Sequence, residues 1–267
     1  MHLSGHIEKM ETSLLGDAAQ YQLALDNQIV EMNALVGGHI ELTFNQTIQC
    51  SNCGRVTPKS YSQGFCFPCA RSLARCDLCI MRPETCHYHL GTCREPKWGE
   101  AHCFAPHIVY LANSSGLKVG ITRKTNMPGR WIDQGAIAAI PILEVNTRLE
   151  SGRIEMALKA HVSDKTNWRK MLKNETENID LVGAKNTLLN EIPELIDELG
   201  ARRLDDDVVN IDYPVLQYPS KISSLNFDKT PVVSGVLNGI KGQYLLLDNG
   251  VLNIRKFGSY HVSLSTS

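Results

Sequence analysis

Hydrophobic and polar positions alternate in two short stretches near the start of the chain, "YQLALD" and "HIELTF", with Gly37 and Gly38 between them. A period of two predicts strands, so the first 49 residues read as a small antiparallel sheet. The same alternation returns in "HIVYLANSSGLKVGITR", His107 to Arg123, where Asn113, Ser114, Ser115 and Gly116 are residues that tolerate a turn. This predicts a hairpin. The period then changes. Asn126 and Pro128 mark the start of a short helix, and Ile154, Ala157, Leu158 and Val162 fall on one face of a helix expected from Ser151 to Val162. A third helix is expected in "KNTLLNEIPELIDELGARR", interrupted at Pro193 and stopped at Gly200. From about Tyr213 the pattern is β again, and "GQYLLLDNGVLNIRKF" predicts a hairpin turning at Asn249-Gly250. No repeat of fixed period is present.

Composition narrows the function classes. A chain of 267 residues has room for about two domains and for a core that needs no disulfide staples. There is no run of about 18 apolar residues, and "MHLSGHIEKMETSLLGDAAQ" lacks the basic start and apolar stretch of a secretory signal, so no membrane partner and a cytoplasmic location are expected. The net charge of −1 excludes a generally basic coat. Charge is uneven, however: bases outnumber acids from Arg94 to Arg130, and acids dominate from Glu175 to Asp212, ending in Asp205, Asp206 and Asp207. The acidic stretch reads as a solvated helix face plus a linker.

All 9 cysteines lie between Cys50 and Cys103. Their odd number does not fit a closed disulfide set, and in a reducing cytosol clustered cysteines more often bind metal. Cys50-x2-Cys53, twelve intervening residues, then Cys66-x2-Cys69 is the spacing of two knuckles that converge on one structural Zn²⁺. Gly54 and Gly64 stand beside them, where tight turns are needed. Cys76-x2-Cys79 is a third pair, followed by Cys86, His87, His89, Cys93 and Cys103. A second Zn²⁺ is expected on Cys76, Cys79, Cys93 and Cys103; the plainer reading is that some of these are buried free thiols. Cys86 followed by His87 is not taken as a nucleophile pair, since adjacency in sequence does not give the spatial pairing of catalysis.

In the hairpin, Ile108 and Tyr110 share one face of their strand, and Lys118, Gly120 and Thr122 share one face of the return strand. With Arg130 beyond them and Glu155 on the following helix, "IVY … KVGIT" resembles the GIY-YIG nuclease domain, in the phage-type branch whose second motif reads K-I-G. The resemblance implies a small mixed α/β domain and a catalytic set of Tyr110, Lys118, Gly120, Arg130 and Glu155, with Asn167 of "KTNW" as a late polar residue. It departs from the family at Lys118, where a second tyrosine is usual, and at Lys159, where the phage-type branch often has histidine. The implied activity is hydrolysis of a nucleic-acid phosphodiester, DNA or RNA, with Mg²⁺ or Mn²⁺ on Glu155 and Arg130 against the developing charge. Without the resemblance, Glu155 is a helix surface residue paired to Lys159, and Tyr110 a strand aromatic. The whole chain also resembles a bacterial family of unknown function that joins a cysteine-rich segment to this hairpin and to "RWIDQGA".

The competing reading is a zinc-stabilised protein that binds RNA or DNA without cutting it, with Arg255, Lys256, Phe257 and Tyr260 near the C-terminus as a basic and aromatic surface. The plainer reading of those four is a half-exposed strand pair, and a purely structural or partner-binding role is a third possibility. The expected architecture is α+β: an N-terminal β segment 1–49, a zinc ribbon region 50–105, a GIY-YIG-like domain 106–175, an acidic helical region 176–212 and a small C-terminal β module 213–267.

Overall fold

The computed structural model describes residues 1–162 and 167–266. In chain order the strands before the cysteines are β1 (His2–His6), β2 (Glu11–Leu15), β3 (Ala18–Leu25), β4 (Gln28–Glu31) and β5 (His39–Ile48). Two helices, α1 (Phe67–Ser72) and α2 (Pro96–Cys103), flank a run of single 3₁₀ turns. The centre holds β6 (His107–Asn113), β7 (Leu117–Arg123), α3 (Gly129–Asp133), β8 (Ala138–Val145) and α4 (Arg148–Lys159). Then come α5 (Trp168–Leu172), α6 (Leu181–Asn190), α7 (Pro193–Glu198) and the two-residue strands β9 (Arg202–Arg203) and β10 (Val209–Asn210). The chain finishes with β11 (Val232–Lys241), β12 (Tyr244–Leu247), β13 (Gly250–Asn253) and β14 (Tyr260–Thr266).

The described residues thus form a mixed α/β protein of three sheets. One has six strands in the order β1-β14-β5-β11-β12-β13. The β units expected separately at the two ends are therefore one sheet: β14 lies between β1 and β5, with Leu264 opposite both Leu3 and Leu42. Pairing across the whole length of the chain leaves no local mark, which is why the termini look like two modules in sequence. A three-stranded sheet, β2-β3-β4, packs its alternate residues Tyr21, Leu23 and Leu25 into the same core.

The central sheet runs β10-β8-β6-β7, with β9 also on β8. All seven residues of β6 are buried, because it is an inner strand covered on both faces. Val109 and Leu111 pack with Ile154, Leu158 and Leu188 on one side, while Ile108, Tyr110 and Ala112 join Trp131, Ile132 and the terminal sheet on the other. The region expected as solvated and acidic supplies much of the first cover: Leu181, Leu188, Leu189 and Ile196 are buried, the helix carboxylates Glu191, Glu194, Asp197 and Glu198 are exposed, and Lys185 is buried with its ammonium donating to the Leu204 carbonyl.

Two boundaries differ from expectation for local reasons. α4 begins at Arg148 because Thr147 accepts from the Glu150 N–H while Glu150 reaches back to the Thr147 N–H, a capping box. In the β12–β13 hairpin Leu247 pairs with Gly250, so the turn is Asp248-Asn249 and the glycine opens the return strand. There a Cβ on Gly250 would lie 2.7 Å from the Ser223 carbonyl oxygen.

Candidate metal centre

The first four cysteines meet. Cys50 follows β5, and its N–H donates to the Arg55 carbonyl at 2.9 Å while the Gly54 N–H donates to the Cys50 carbonyl at 2.9 Å. Gly54, at φ +68°, makes this knuckle possible. The second knuckle enters α1, with Pro68 in its first turn and Cys66 just before it. The sulfurs of Cys50, Cys53, Cys66 and Cys69 all lie within 4.8 Å of one another, and Cys53 and Cys66 are 3.7 Å apart. Two sulfurs at about 2.3 Å from one tetrahedral ion are separated by roughly that distance. The donor set therefore fits zinc.

Their electrostatics agree. Burial opposes the Cys50 thiolate, but the N–H groups of Cys66, Cys53 and Asn52 aimed at its sulfur bring it down to about 6. The Cys69 thiol, beside the Cys66 sulfur, is pushed up to about 12. Four thiolates at this spacing repel one another until a cation is placed among them, and a structural Zn²⁺ bound here would supply that charge and join the two knuckles.

The remaining cysteines separate. Cys76 packs beside the first cluster, near Ser62 and Cys50. Cys79, Cys93 and Cys103 instead line a small cavity with Cys86. Donor atoms of Asp77, Cys79 and His87 gather within 4.8 Å there. Asp77 is ion-paired to Arg94 Nε at 2.7 Å. Cys76 and Cys79, expected to share an ion, thus stand in different surroundings, Cys76 beside the first cluster and Cys79 in the cavity.

The hairpin has Tyr110 opposite Gly120 and Ala112 opposite Lys118, so Tyr110, Gly120 and Lys118 share a face. A Cβ at Gly120 would sit 2.5 Å from the Tyr110 oxygen, so the phenol lies flat on the bare backbone. Tyr110 is fully buried and donates to Gln134 Oε1 at 2.9 Å. Burial pushes it up to about 12; the neighbouring Arg130 opposes this and the charge of Glu155 adds to it. Tyr110, Gly120 and Arg130 therefore meet, and Glu155 is within electrostatic reach. Glu155, with its side chain only 14% exposed, also pairs with Lys159 at 3.5 Å. Asn167 caps α5, its Oδ1 accepting from the N–H groups of Arg169 and Lys170.

Several cations converge on this quarter from separate elements. Arg148, at the start of α4, and Arg255, near the C-terminus, each have Arg130 as a neighbour, and burial draws both guanidinium groups down from their ordinary values. Beside Arg255 opens a groove of about 730 Å³, whose walls include Lys59, Gln63, Asn253 and Lys256. Arg255 Nε donates to Gln63 Oε1 at 2.6 Å, tying the zinc-ribbon loop to the C-terminal segment. Phe257 does not face this groove: it is 1% exposed and packs on Phe227. Tyr260 does line it, but only at its edge, being 6% exposed with its ring on Phe44 and its hydroxyl donating to Asp228 Oδ1 at 2.8 Å. Sequence reasoning passed over Arg148, Gln134 and Lys59; only Arg148 carried a signal, as the first residue after the Thr147 cap.

Among the described residues no helix is long and apolar enough to cross a membrane. No curated protein and no solved structure matches the chain. One family model, "Protein of unknown function (DUF2797)", matches residues 37–262, a span that holds every cysteine, the hairpin, α4 and the basic groove. The chain belongs to the DUF2797 family.

Proposed function

We propose that the protein is a zinc-stabilised nucleic-acid-binding protein, which holds a phosphodiester backbone along the groove between the ribbon loop and the C-terminal 3₁₀ turn. The observation that carries this reading is the groove's charge. Lys59, Arg255 and Lys256 come to one cleft from positions nearly 200 residues apart, in a chain whose net charge is −1, and only Asp228 faces them there. Amide side chains at Gln63 and Asn253 add hydrogen-bonding groups of the kind that position a phosphate backbone. The metal in the Cys50 site would fix the loop that carries Lys59 and Gln63. Binding to mixed single- and double-stranded oligonucleotides, followed by fluorescence anisotropy, is the test. Replacing Lys59, Arg255 and Lys256 together by alanine should weaken binding at least about tenfold and flatten its salt dependence by two to three counterions. Equal binding by that variant would end the reading.

A second reading, phosphodiester cleavage, is supported by one observation: of the residues singled out by resemblance to GIY-YIG nucleases, Gly120 and Arg130 adjoin Tyr110 and Glu155 is within electrostatic reach of it. Its buried phenol would then orient Arg130 instead of touching substrate, leaving Arg130 to oppose the developing charge and Glu155 to hold Mg²⁺ or Mn²⁺. Products that form with Mn²⁺, vanish with EDTA and are lost in Glu155→Gln, with zinc content unchanged, would favour this reading. Binding without products in Mg²⁺ and Mn²⁺ would remove it.

A further inference from the structure

We propose that the protein holds a second zinc ion, bound by the thiolates of Cys79, Cys86, Cys93 and Cys103. The grouping differs from what spacing alone predicts, since Cys86 enters and Cys76 leaves.

Four observations support it. These cysteines stand within one 3₁₀ turn, at the end of a second, in a loop and at the end of α2, and all four line one cavity of about 20 Å³, a size that suits an ion and excludes an organic ligand. Cys86, Cys93 and Cys103 each lie within electrostatic reach of Cys79. None of the four is a fully buried core residue, as an inert structural thiol would be. The charge they would carry is also matched: four thiolates around Zn²⁺ leave two negative charges, and Arg148 and Arg123 both stand beside Cys103. Arg148 Nη2 donates to the Ile80 carbonyl at 2.6 Å, one residue past Cys79, while its Nε is buried with no hydrogen-bond partner.

The other nearby donors, Asp77 and His87, bring their donor atoms within 4.8 Å of the Cys79 sulfur, but each has a partner of its own. Asp77 pairs with Arg94, and His87 Nδ1 is 2.8 Å from Thr92 Oγ1. They surround the thiols and orient the turns that carry them, as groups next to metal ligands commonly do. The stretch from Cys76 to Leu90 contains only 3₁₀ turns and no sheet, so an ion is the element that would tie it together. It would tie it to α4 as well. Gly152 lies so close to Pro83 that a Cβ there would come within 2.6 Å of the proline side chain, and Arg148, one turn earlier on α4, bonds the Ile80 carbonyl of the same stretch. The second metal would thereby set the position of Arg148, one of the cations around Arg130.

The experiment is metal analysis of the full-length protein purified without chelator under reducing conditions. Two zinc ions per chain are expected. Cys53→Ser and Cys86→Ser should each bring the content down to one, whereas Cys76→Ser and His87→Ala should leave it at two. A single zinc in the unaltered protein overturns the proposal. So does Cys86→Ser at two, or His87→Ala at one with Cys93→Ser at two. Cobalt replacement of the unaltered protein gives a readout that needs no variant: the sulfur-to-cobalt charge-transfer intensity should be about twice that of a single four-thiolate site. Intensity matching one site would also overturn it.

Discussion

The strand β6 and the cysteine-rich segment before it are neighbours in the chain, yet different forces hold them. Every residue of β6 is buried, between apolar layers that draw on α4, α6 and the terminal sheet. In the cysteine-rich segment, Val56, Phe67, Leu78, Met81 and Leu90 are each more than half exposed, and the only buried cluster is Cys50, Cys66, Cys69 and Leu73. Area removed from water stabilises the first region at about 25 cal/mol per Å². The second has too little to remove. It has instead donor atoms arranged for an ion, whose binding energy would become folding energy. One chain thus carries a self-sufficient core and an annex built around a candidate metal site, and the proposed groove lies where the Lys59 loop of that annex meets the C-terminal segment.

The comparison can be broken most severely by removing metal. Treatment with a strong chelator should raise amide exchange across residues 50–72 by at least a factor of about 10³, while the amides of β6 and β8 stay protected. Uniform loss of protection in both regions would mean that they are not separable.

A smaller effect comes from His107, which begins β6 and touches both regions. It is fully buried, its Nδ1 is 2.7 Å from the Ala105 carbonyl oxygen, and burial lowers its pKa from 6.5 to about 4. The unfolded chain therefore takes up the proton first as pH falls. The stability that depends on a neutral His107 is complete above about pH 6.5 and lost progressively toward pH 4, amounting to roughly 3 kcal/mol in all. Urea denaturation should show the unaltered protein about 2 kcal/mol less stable at pH 5 than at pH 8 on this account, with His107→Gln losing less over the same range. Identical pH dependence in the two proteins would remove His107 from the interface argument.

The smallest effect sharpens the apolar side alone. Gly120→Ala forces a methyl group into the Tyr110 ring and should cost about 1–3 kcal/mol in denaturant midpoint, with zinc content unchanged. A neutral result would show that the phenol can move off the glycine, and with it Arg130.

Much of the local structure was legible. The period-two segments became β3, β5, β6 and β7, and the Ser114-Ser115-Gly116 turn stands where its residues put it, with Gly116 at φ +151°. The Pro193 break separates α6 from α7, and Gly200 at φ +57° follows as the stop. The double knuckle was legible for the same reason: two residues between cysteines is a local geometric requirement for sharing an ion. The T-x-x-E cap at Thr147 is also written in the residues, and it, not the first residue of the apolar stripe near Ser151, sets where α4 begins. Of the residues chosen by resemblance, Tyr110, Gly120 and Arg130 come together, while the burial of the Tyr110 hydroxyl could not be read from the hairpin itself.

What the sequence determines by itself is whatever depends on neighbours within a few positions: strands, turns, caps and the Cys50 to Cys69 knuckles. Tertiary structure alone decided that the two ends of the chain share a sheet, that Cys86 and not Cys76 lines one cavity with Cys79, Cys93 and Cys103, and that Arg255 bonds Gln63 within electrostatic reach of Arg130. Those outcomes depend on which distant surfaces exclude water from each other and which charges are thereby brought close. Such choices are made by the whole core at once and leave no mark on any single stretch of residues.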